Sequence, residues 1–432
     1  MTDEGRRPGG RRSARGIARH GKLRRRRPLA TLAGLIGTAA VVAVVSVGSV
    51  GAIAARDVKD DITTISLSPS DEGQARSQDI NAIKGGANIL LIGSDTRVGQ
   101  RAEEQDADGA RNDVTMLVHL SEDHSQVTVV SFPRDAMVPI PSCADPDAGT
   151  SSPAESKAMF NSALLRGGPN GGVACVVQTV ENLTGLSIPY AGLITFDGVT
   201  AMSNALGGVT VCIAKPIHDG SFLDLPAGEV PLQGKEALGF LRTRHGVDDG
   251  SDIARISNQQ VFLSAMLRKL TSDGALGNPI TLYRFAKAAT SNMALSEGLN
   301  DTRTLVALAA AVRNTDTAHM LLVQYPTDAD PEDSNRVVVD QAAAHSLNVA
   351  LQQDQRTRVA SGAIGRGAVQ APSASRAPAA ERPADTPSPS SSRAAGQASR
   401  SPGTAATRKP TALPSTITGQ SAAEQTCSKG TD

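Results

Sequence analysis

Arg242 and Arg244 stand two residues apart in LRTRHGVDDGSDIARISNQQ (241–260), followed closely by Asp252, Arg255 and Gln259. Guanidinium groups bind carboxylate and phosphate oxygens through a planar fork, so paired arginines suit a di-anionic or diphosphate group. Read as a strand, Arg242 and Arg244 share one face, roughly 6.6 Å apart along the chain. Asp252, Arg255 and Gln259 follow an i, i+3, i+7 pattern that lines one strip of a helix, where Asp252 can orient the arginines. A solvated salt-bridge set would use the same residues and contribute little. Spacing alone leaves both readings open.

Three further clusters sit at the ends of apolar runs. LLIGSDTR places Asp95 and Arg97 after a strand, ARNDVTML opens the next with Arg111 and Asp113, and SFPRD closes another with Arg134 and Asp135. Ligands in α/β sheets gather beyond the carboxyl ends of strands. Two carboxylates there, Asp95 and Asp113, suit Mg²⁺, which takes one or two acids together with phosphate oxygens. Lys157 is a further candidate phosphate donor. Taken singly, each cluster also reads as a capped turn or a local ion pair. GEVPLQGKE fails the phosphate-loop pattern, no G-x-S-x-G occurs, and no Cys/His spacing fits zinc.

The elements that must hold these residues alternate. NILLIG (88–93), VTMLVHL (114–120), QVTVVSFP (126–133), YAGLITF (190–196), VTVCIA (209–214) and AHMLLVQYP (318–326) read as strands. KAMFNSALLRGG (157–168), GVACVVQTVENLTG, FDGVTAMSNALGG and SDIARISNQQVFLSAMLRKL (251–270) read as helices, the last capped by Ser251. Further helices are expected near 279–290, 301–313 and 336–351, and GKEALGFLRTR reads as a short helix running into a strand. This pattern predicts an α/β fold, a layered α-β-α sandwich on a central mixed sheet.

Composition sets the flanks. Residues 1–27 hold ten arginines and Lys22 against Asp3 and Glu4, leaving the remaining chain at a net −9. Leu29 to Ala55 carries no charge over 27 residues, which as a helix would reach roughly 40 Å and span a membrane with tilt. The reading is therefore a basic cytoplasmic arm (1–27), one transmembrane helix (28–55), a juxtamembrane stalk (56–85), an extracytoplasmic domain (86–352) and a disordered tail rich in Ala, Ser, Pro and Thr (353–432). The arm has no room for a nucleic-acid reader. Outside the membrane disulfides are allowed: Cys143 and Cys175 are expected to pair, and the pairing of Cys212 and Cys427 stays open.

NILLIGSDTR, RNDVTMLV, VVSFPRD, KAMFNSA, ITFDGVTAMSNALGGV and LQGKEALGFLRTRHGVDDGSDIARISNQQ together resemble the LytR-CpsA-Psr family of cell-wall proteins over roughly residues 86–270. The resemblance implies an α/β sandwich with a hydrophobic channel for a polyprenyl chain. It also implies Mg²⁺-assisted transfer of a glycopolymer from a polyprenyl-diphosphate carrier to peptidoglycan, at the cytoplasmic membrane. By that resemblance Asp95 and Asp113 would bind the metal. Arg134, Lys157, Arg242, Arg244 and Gln259 would contact phosphate oxygens, and Asp252 and Arg255 would complete the site; Arg97 and Arg111, in the clusters above, are further candidate diphosphate contacts. Asp95 or Asp113 is the candidate base. One departure is Asn258, where the family often has Arg; it bears on a phosphate or wall contact. A non-catalytic anchored binding protein and a polyprenyl-diphosphate hydrolase are the alternative readings.

Overall fold

Leu90, Ile92, Leu117 and Val130 are completely buried, whereas Ile89, Leu91, Met116 and Val118, their neighbours on the same strands, are only half-buried. In strands, successive side chains point to opposite faces. One face of the sheet is therefore packed solid, and the other meets something less dense.

The computed structural model describes residues 62–67, 86–94, 111–220, 222–271, 278–372 and 410–431. Eight strands form the main sheet, in the order Thr63–Ile65, Met293–Ser296, Tyr190–Thr195, Ala87–Ser94, Asn112–Leu120, Val127–Phe132, Met320–Gln324 and Gly419–Ser421. Pairing is mixed. Ala87–Ser94 runs antiparallel to Asn112–Leu120 and parallel to Tyr190–Thr195, while Val127–Phe132 runs parallel to Met320–Gln324. The expected mixed α/β architecture is the observed one.

The solid face shares its core with Val173, Val176, Val177 and Val180 of helix Gly168–Thr184 and with Ala343, Leu347 and Leu351 of helix Gln341–Gln352. These positions recur at the helical period, so each helix presents one apolar stripe. Each fully buried aliphatic chain there stabilises by about 1.5–3 kcal/mol. The opposite face shares a second core with Leu263 and Leu267 of the long helix Asp252–Thr271 and with Leu305 and Val312 of helix Thr302–Asn314. A third core lies under a four-stranded sheet ordered Gly228–Leu232, Val209–Lys215, Thr426–Lys429, Ala368–Gln370.

Four expectations change. GKEALGFLRTR does not enter a strand: helix Lys235–Arg242 runs on to Arg242, and Arg244 lies in the loop beyond Thr243. Ala237 and Phe240, three residues apart, are both completely buried, and only a helical period places both inward. The helix expected over 157–168 is an edge strand, Glu155–Met159, followed by a 3-10 turn, Phe160–Leu165. The strand pairs with Ala136–Ile140, and Phe160 stacks toward Phe132 with ring centroids 5.9 Å apart. Within the expected stalk, Thr63–Ile65 is a strand pairing with Met293–Ser296.

The tail is the largest correction. Residues 353–372 and 410–431 are folded onto the domain rather than disordered. Gly419–Ser421 extends the main sheet beside Met320–Gln324, and Thr426–Lys429 lies between Val209–Lys215 and Ala368–Gln370. Gln420 Nε2 donates to Ser264 Oγ (2.6 Å) and to the Gln260 carbonyl (3.0 Å) on the long helix. Leu413, Ile417, Ala422 and Cys427 are buried; averaged over the whole tail, these few apolar positions vanish into the Ala/Ser/Pro background. The arm, the apolar stretch 28–55 and residues 373–409 lie outside the described residues. No helix among the described residues is long and apolar enough to cross a membrane.

Both disulfides form: Cys143–Cys175, as expected, and Cys212–Cys427. The second joins residues 215 apart, a loop whose closure is worth up to about 5 kcal/mol in the chain-entropy model. Cys427→Ser together with Cys212→Ser should therefore lower the urea midpoint strongly and expose the C-terminal strand to proteolysis. An unchanged midpoint would show that the strand is held without its covalent tie.

Candidate functional site

Strand ends converge to build the site. Thr195 pairs with Ser94, Ser94 with Asn112, and Thr115 with Phe132, so two strands finish where Asn112–Leu120 begins and a third finishes on its other side. Asp113 follows from the start of that strand and Arg134 from just beyond Phe132. The last turn of Lys235–Arg242 brings Arg242, and the loop after it Arg244. The first turns of the long helix add Asp252, Arg255 and Gln259. Ser251 caps this helix, its Oγ accepting the Ala254 N–H at 3.2 Å.

Here a cavity of about 580 Å³ opens. Asp113, Arg134, Arg242, Arg244, Arg255 and Gln259 line its polar part. The remainder is mostly aliphatic, with Phe196 and Phe262 beside it: Ile89, Leu91, Val114, Met116 and Val118 from the sheet, and Leu263, Met266 and Leu267 from the long helix. From Asp113 to Val118 the strand advances roughly 17 Å, so the hollow runs from the charged end far beneath the sheet. It is the reason those apolar residues are only half-buried.

The charged groups hold one another in place. Arg134 donates from its backbone N–H to Asp252 Oδ2 (2.9 Å) and from Nη1 to Asp113 Oδ1 (2.5 Å). Arg244 Nη2 meets Asp135 Oδ2 at 3.3 Å. Arg255 Nη2 pairs with Asp252 Oδ1 at 2.5 Å and donates to the Asp113 carbonyl at 2.8 Å. Gln259 Nε2 donates to the Leu241 carbonyl at 3.1 Å, tying the long helix to the segment that carries Arg242 and Arg244. The Arg242 guanidinium lies over the Phe196 ring, 4.5 Å from its centroid. Four guanidinium groups thus face three carboxylates among the described residues. The Nε–H groups of Arg134 and Arg255 are buried without a hydrogen-bond partner, and unpaired buried donors of this kind call for a ligand or a strained arrangement.

Burial shapes the proton affinities. It pushes the Asp252 carboxyl up, against the pull of Arg255 and Arg134, and pushes the Arg255 guanidinium down, against the pull of Asp252. Burial lowers Arg134 too, but the hydrogen bond it donates to Asp113 and the charges of Asp135, Asp113 and Asp252 outweigh it, and the net direction is up. Asp252 and Arg255 are each 5% exposed, and removing one member of such a pair leaves its partner as an uncompensated buried charge. Asp252→Ala should therefore destabilise the fold by about 3–5 kcal/mol, read from urea unfolding. A change under about 1 kcal/mol would mean that water reaches Arg255 freely.

Most of the candidate residues meet here, and some do not. Asp252 stands behind the arginines, buttressing them. Arg111 lines an adjoining polar cavity together with Arg134, Asp135 and Arg244. Lys157 is elsewhere: its ammonium pairs with Asp330 (3.1 Å) and Glu332 on another part of the surface, and those partners raise its pKa. Asp95 and Arg97 lie outside the described residues. Asn258 is completely buried and bridges the Phe240 carbonyl to Ser428 of the C-terminal strand, so the departure at this position touches the tail rather than the site. Asp135 completes the site as the partner of Arg244; its signal was its place beside Arg134 in SFPRD.

The chain can be set beside known proteins. A model of the LytR_cpsA_psr family matches residues 55–355. "Probable cell wall biosynthesis protein LcpB" of Corynebacterium glutamicum is 33% identical over 273 residues, covering 61% of this chain and 60% of that protein. "Polyisoprenyl-teichoic acid–peptidoglycan teichoic acid transferase TagU" of Oceanobacillus iheyensis is 30% identical over 205 residues, 47% of this chain and 58% of that one. The chain spans about half to three-fifths of the length of such relatives. The crystal structure of protein gbs0355 from Streptococcus agalactiae matches with a TM-score of 0.51 at 21% identity, covering 65% of this chain and 90% of that one; this is a likeness of fold. With the family model matching well over half of its 432 residues, the chain belongs to the LytR_cpsA_psr family.

Proposed function

We propose that this chain is a phosphotransferase that moves a glycopolymer from a polyprenyl-diphosphate carrier to a peptidoglycan hydroxyl. The observation that carries the reading is the junction of an arginine cluster with a long aliphatic hollow in one cavity. A diphosphate with a hydrocarbon tail has the same two-part chemistry. The transferase names of relatives such as TagU support it.

In the proposed reaction, the acceptor hydroxyl attacks the sugar-bearing phosphorus. An O–P bond forms, the bond to the bridging oxygen breaks, and polyprenyl phosphate leaves with the electron pair. The hydroxyl proton passes to a carboxylate of the site. Arg134, Arg242 and Arg244 hold the phosphate oxygens as negative charge shifts onto the leaving group, and fixed donors of this kind act without reorganising. Asp252 and Arg255 position them. The aliphatic hollow takes the prenyl chain and keeps water from it.

Asp113 and Asp95 would hold Mg²⁺. Asp113 lines the polar end of the cavity, and Asp95 lies outside the described residues. A carboxylate there suits an ion that takes one or two such groups, with phosphate and water supplying the rest. When bound, Mg²⁺ would neutralise phosphate oxygens. The apolar span 28–55 would anchor the chain with its basic arm in the cytoplasm and the domain outside, and two disulfides support an oxidising location.

The test is product analysis with a polyprenyl-diphosphate glycoside and wall acceptor, before and after chelation. The expected product is acceptor-linked polymer, lost on chelation and restored by Mg²⁺. Polymer released to water would make the chain a hydrolase, and binding with no bond cleavage would make it a carrier protein.

A further inference from the structure

Arg134, Arg244 and Arg255 each pair with a carboxylate, whereas Arg242 has no carboxylate partner among the described residues. It has aromatic rings instead. Its Cζ lies 4.5 Å from the ring centroid of Phe196 and 5.9 Å from that of Phe222. The difference matters to an incoming anion. A carboxylate takes up guanidinium N–H groups and offsets the charge, so a phosphate must displace it. A ring face attracts the cation through its quadrupole and takes no N–H. Arg242 is therefore held with its donors and its charge uncommitted.

The two rings have different surroundings. Phe196 opens helix Phe196–Ala205 and lines the aliphatic cavity. Phe222 lies outside that lining, 53% exposed, in the turn of a hairpin that pairs Ile217–Asp219 with Leu223–Leu225. The hairpin is keyed to the arginine segment. Thr243, buried between the two arginines, donates from Oγ1 to Asp219 Oδ2 at 2.6 Å. The Phe222 N–H donates to the Asp219 carbonyl at 3.0 Å. Beyond Arg244, a Cβ on Gly246 would lie 2.8 Å from the His218 carbonyl oxygen, so the two segments meet with no room for a side chain. Ile217, Leu223 and Leu225 share a core with Ala237 and Phe240 of the helix that ends at Arg242. Hairpin and helix end are thus one packed unit, and Asp219 fixes where Phe222 stands against Arg242.

We propose that Phe222 is a positioning residue: carried by this hairpin, it holds the Arg242 guanidinium ready for a diphosphate with its N–H groups free. This rests on the reading of Arg242 as a phosphate contact and names what orders it before the anion arrives. A long side chain loses rotamer freedom when it is held. A ring that orders it in the free protein removes that cost from the binding step.

The test is calorimetric binding of farnesyl diphosphate to the full chain. Phe222→Ala and Phe222→Leu should each raise its Kd roughly three- to tenfold, while Phe222→Tyr, which keeps the ring, should bind as the wild type does. In an Arg242→Ala background Phe222→Ala should cause no further loss, which a general packing role would not reproduce. Melting curves should match throughout, because Phe222 is exposed; should Phe222→Ala fold poorly, Leu against Tyr decides the matter. A wild-type Kd in Phe222→Leu would overturn the proposal, since no ring would then be needed. So would an equal loss in Phe222→Tyr, or a further loss in the Arg242→Ala background. Failure of the transferase reading shows separately, as absence of acceptor-linked polymer in the product assay while these affinities keep their order. A wild-type chain that does not bind the probe removes Arg242 as a phosphate contact and the role of Phe222 with it.

Discussion

Arg244→Ala should reduce kcat/KM for glycopolymer transfer by roughly 10²–10³-fold, the scale of removing one pre-positioned donor from developing charge. The fold should hardly notice. The Arg244 side chain is 30% exposed and its recorded ion pair is with Asp135, which Arg134 also faces at 3.6 Å. Asp135 thus keeps a counter-charge when Arg244 is gone. Arg255→Ala would be the wrong experiment, because it strips a buried carboxylate of its partner and confuses chemistry with stability. Arg244→Lys keeps the charge but loses the planar fork, so it should recover only part of the rate. Wild-type turnover in Arg244→Ala, with an unchanged melting temperature, would remove the arginine cluster from the mechanism.

The second large effect is expected from filling the hollow. Val118 faces the cavity far from the charged end and is half-buried. Val118→Trp puts bulk into space that is already open, so it should not strain the core and can stabilise it. A long-chain carrier would lose the contacts of at least one isoprene unit. At about 0.8 kcal/mol per buried methylene that is roughly 100-fold or more in donor affinity. A donor whose prenyl chain is too short to reach Val118 should be almost unaffected. This dependence on chain length separates a lipid-chain channel from an ordinary packing defect. Equal losses for long and short donors, or none for either, would contradict it.

Much of the frame was legible in the residues. The apolar runs at 88–93, 114–120 and 126–133 became adjacent strands, the first as a short continuous apolar run and the other two through β-rich, partly alternating patterns that match the strand period. The i, i+3, i+7 spacing of Asp252, Arg255 and Gln259 held, since helix geometry alone decides it. Arg242 and Arg244 reached the site on a different element, a helix end and loop, so their convergence is tertiary: Gln259 and the Phe196 ring place them. The hollow was illegible from periodicity. Ile89, Met116 and Val118 lie in segments that read simply as strands, and a strand that faces a channel has the same pattern as one that faces packed side chains. Lys157 showed the opposite failure, a suitable side chain in a suitable motif, claimed by Asp330 and Glu332 across a chain separation that no local pattern reports.

The central claim is that one cavity grips a diphosphate at its arginine end and a hydrocarbon chain along its length. A crystal structure of the chain with a polyprenyl diphosphate tests this most directly. The expected result has phosphate oxygens within hydrogen-bond reach of Arg134, Arg242 and Arg244, with the chain lying along Leu91, Met116 and Leu267. A ligand bound on another surface, with the hollow empty and these arginines uncontacted, would contradict the account.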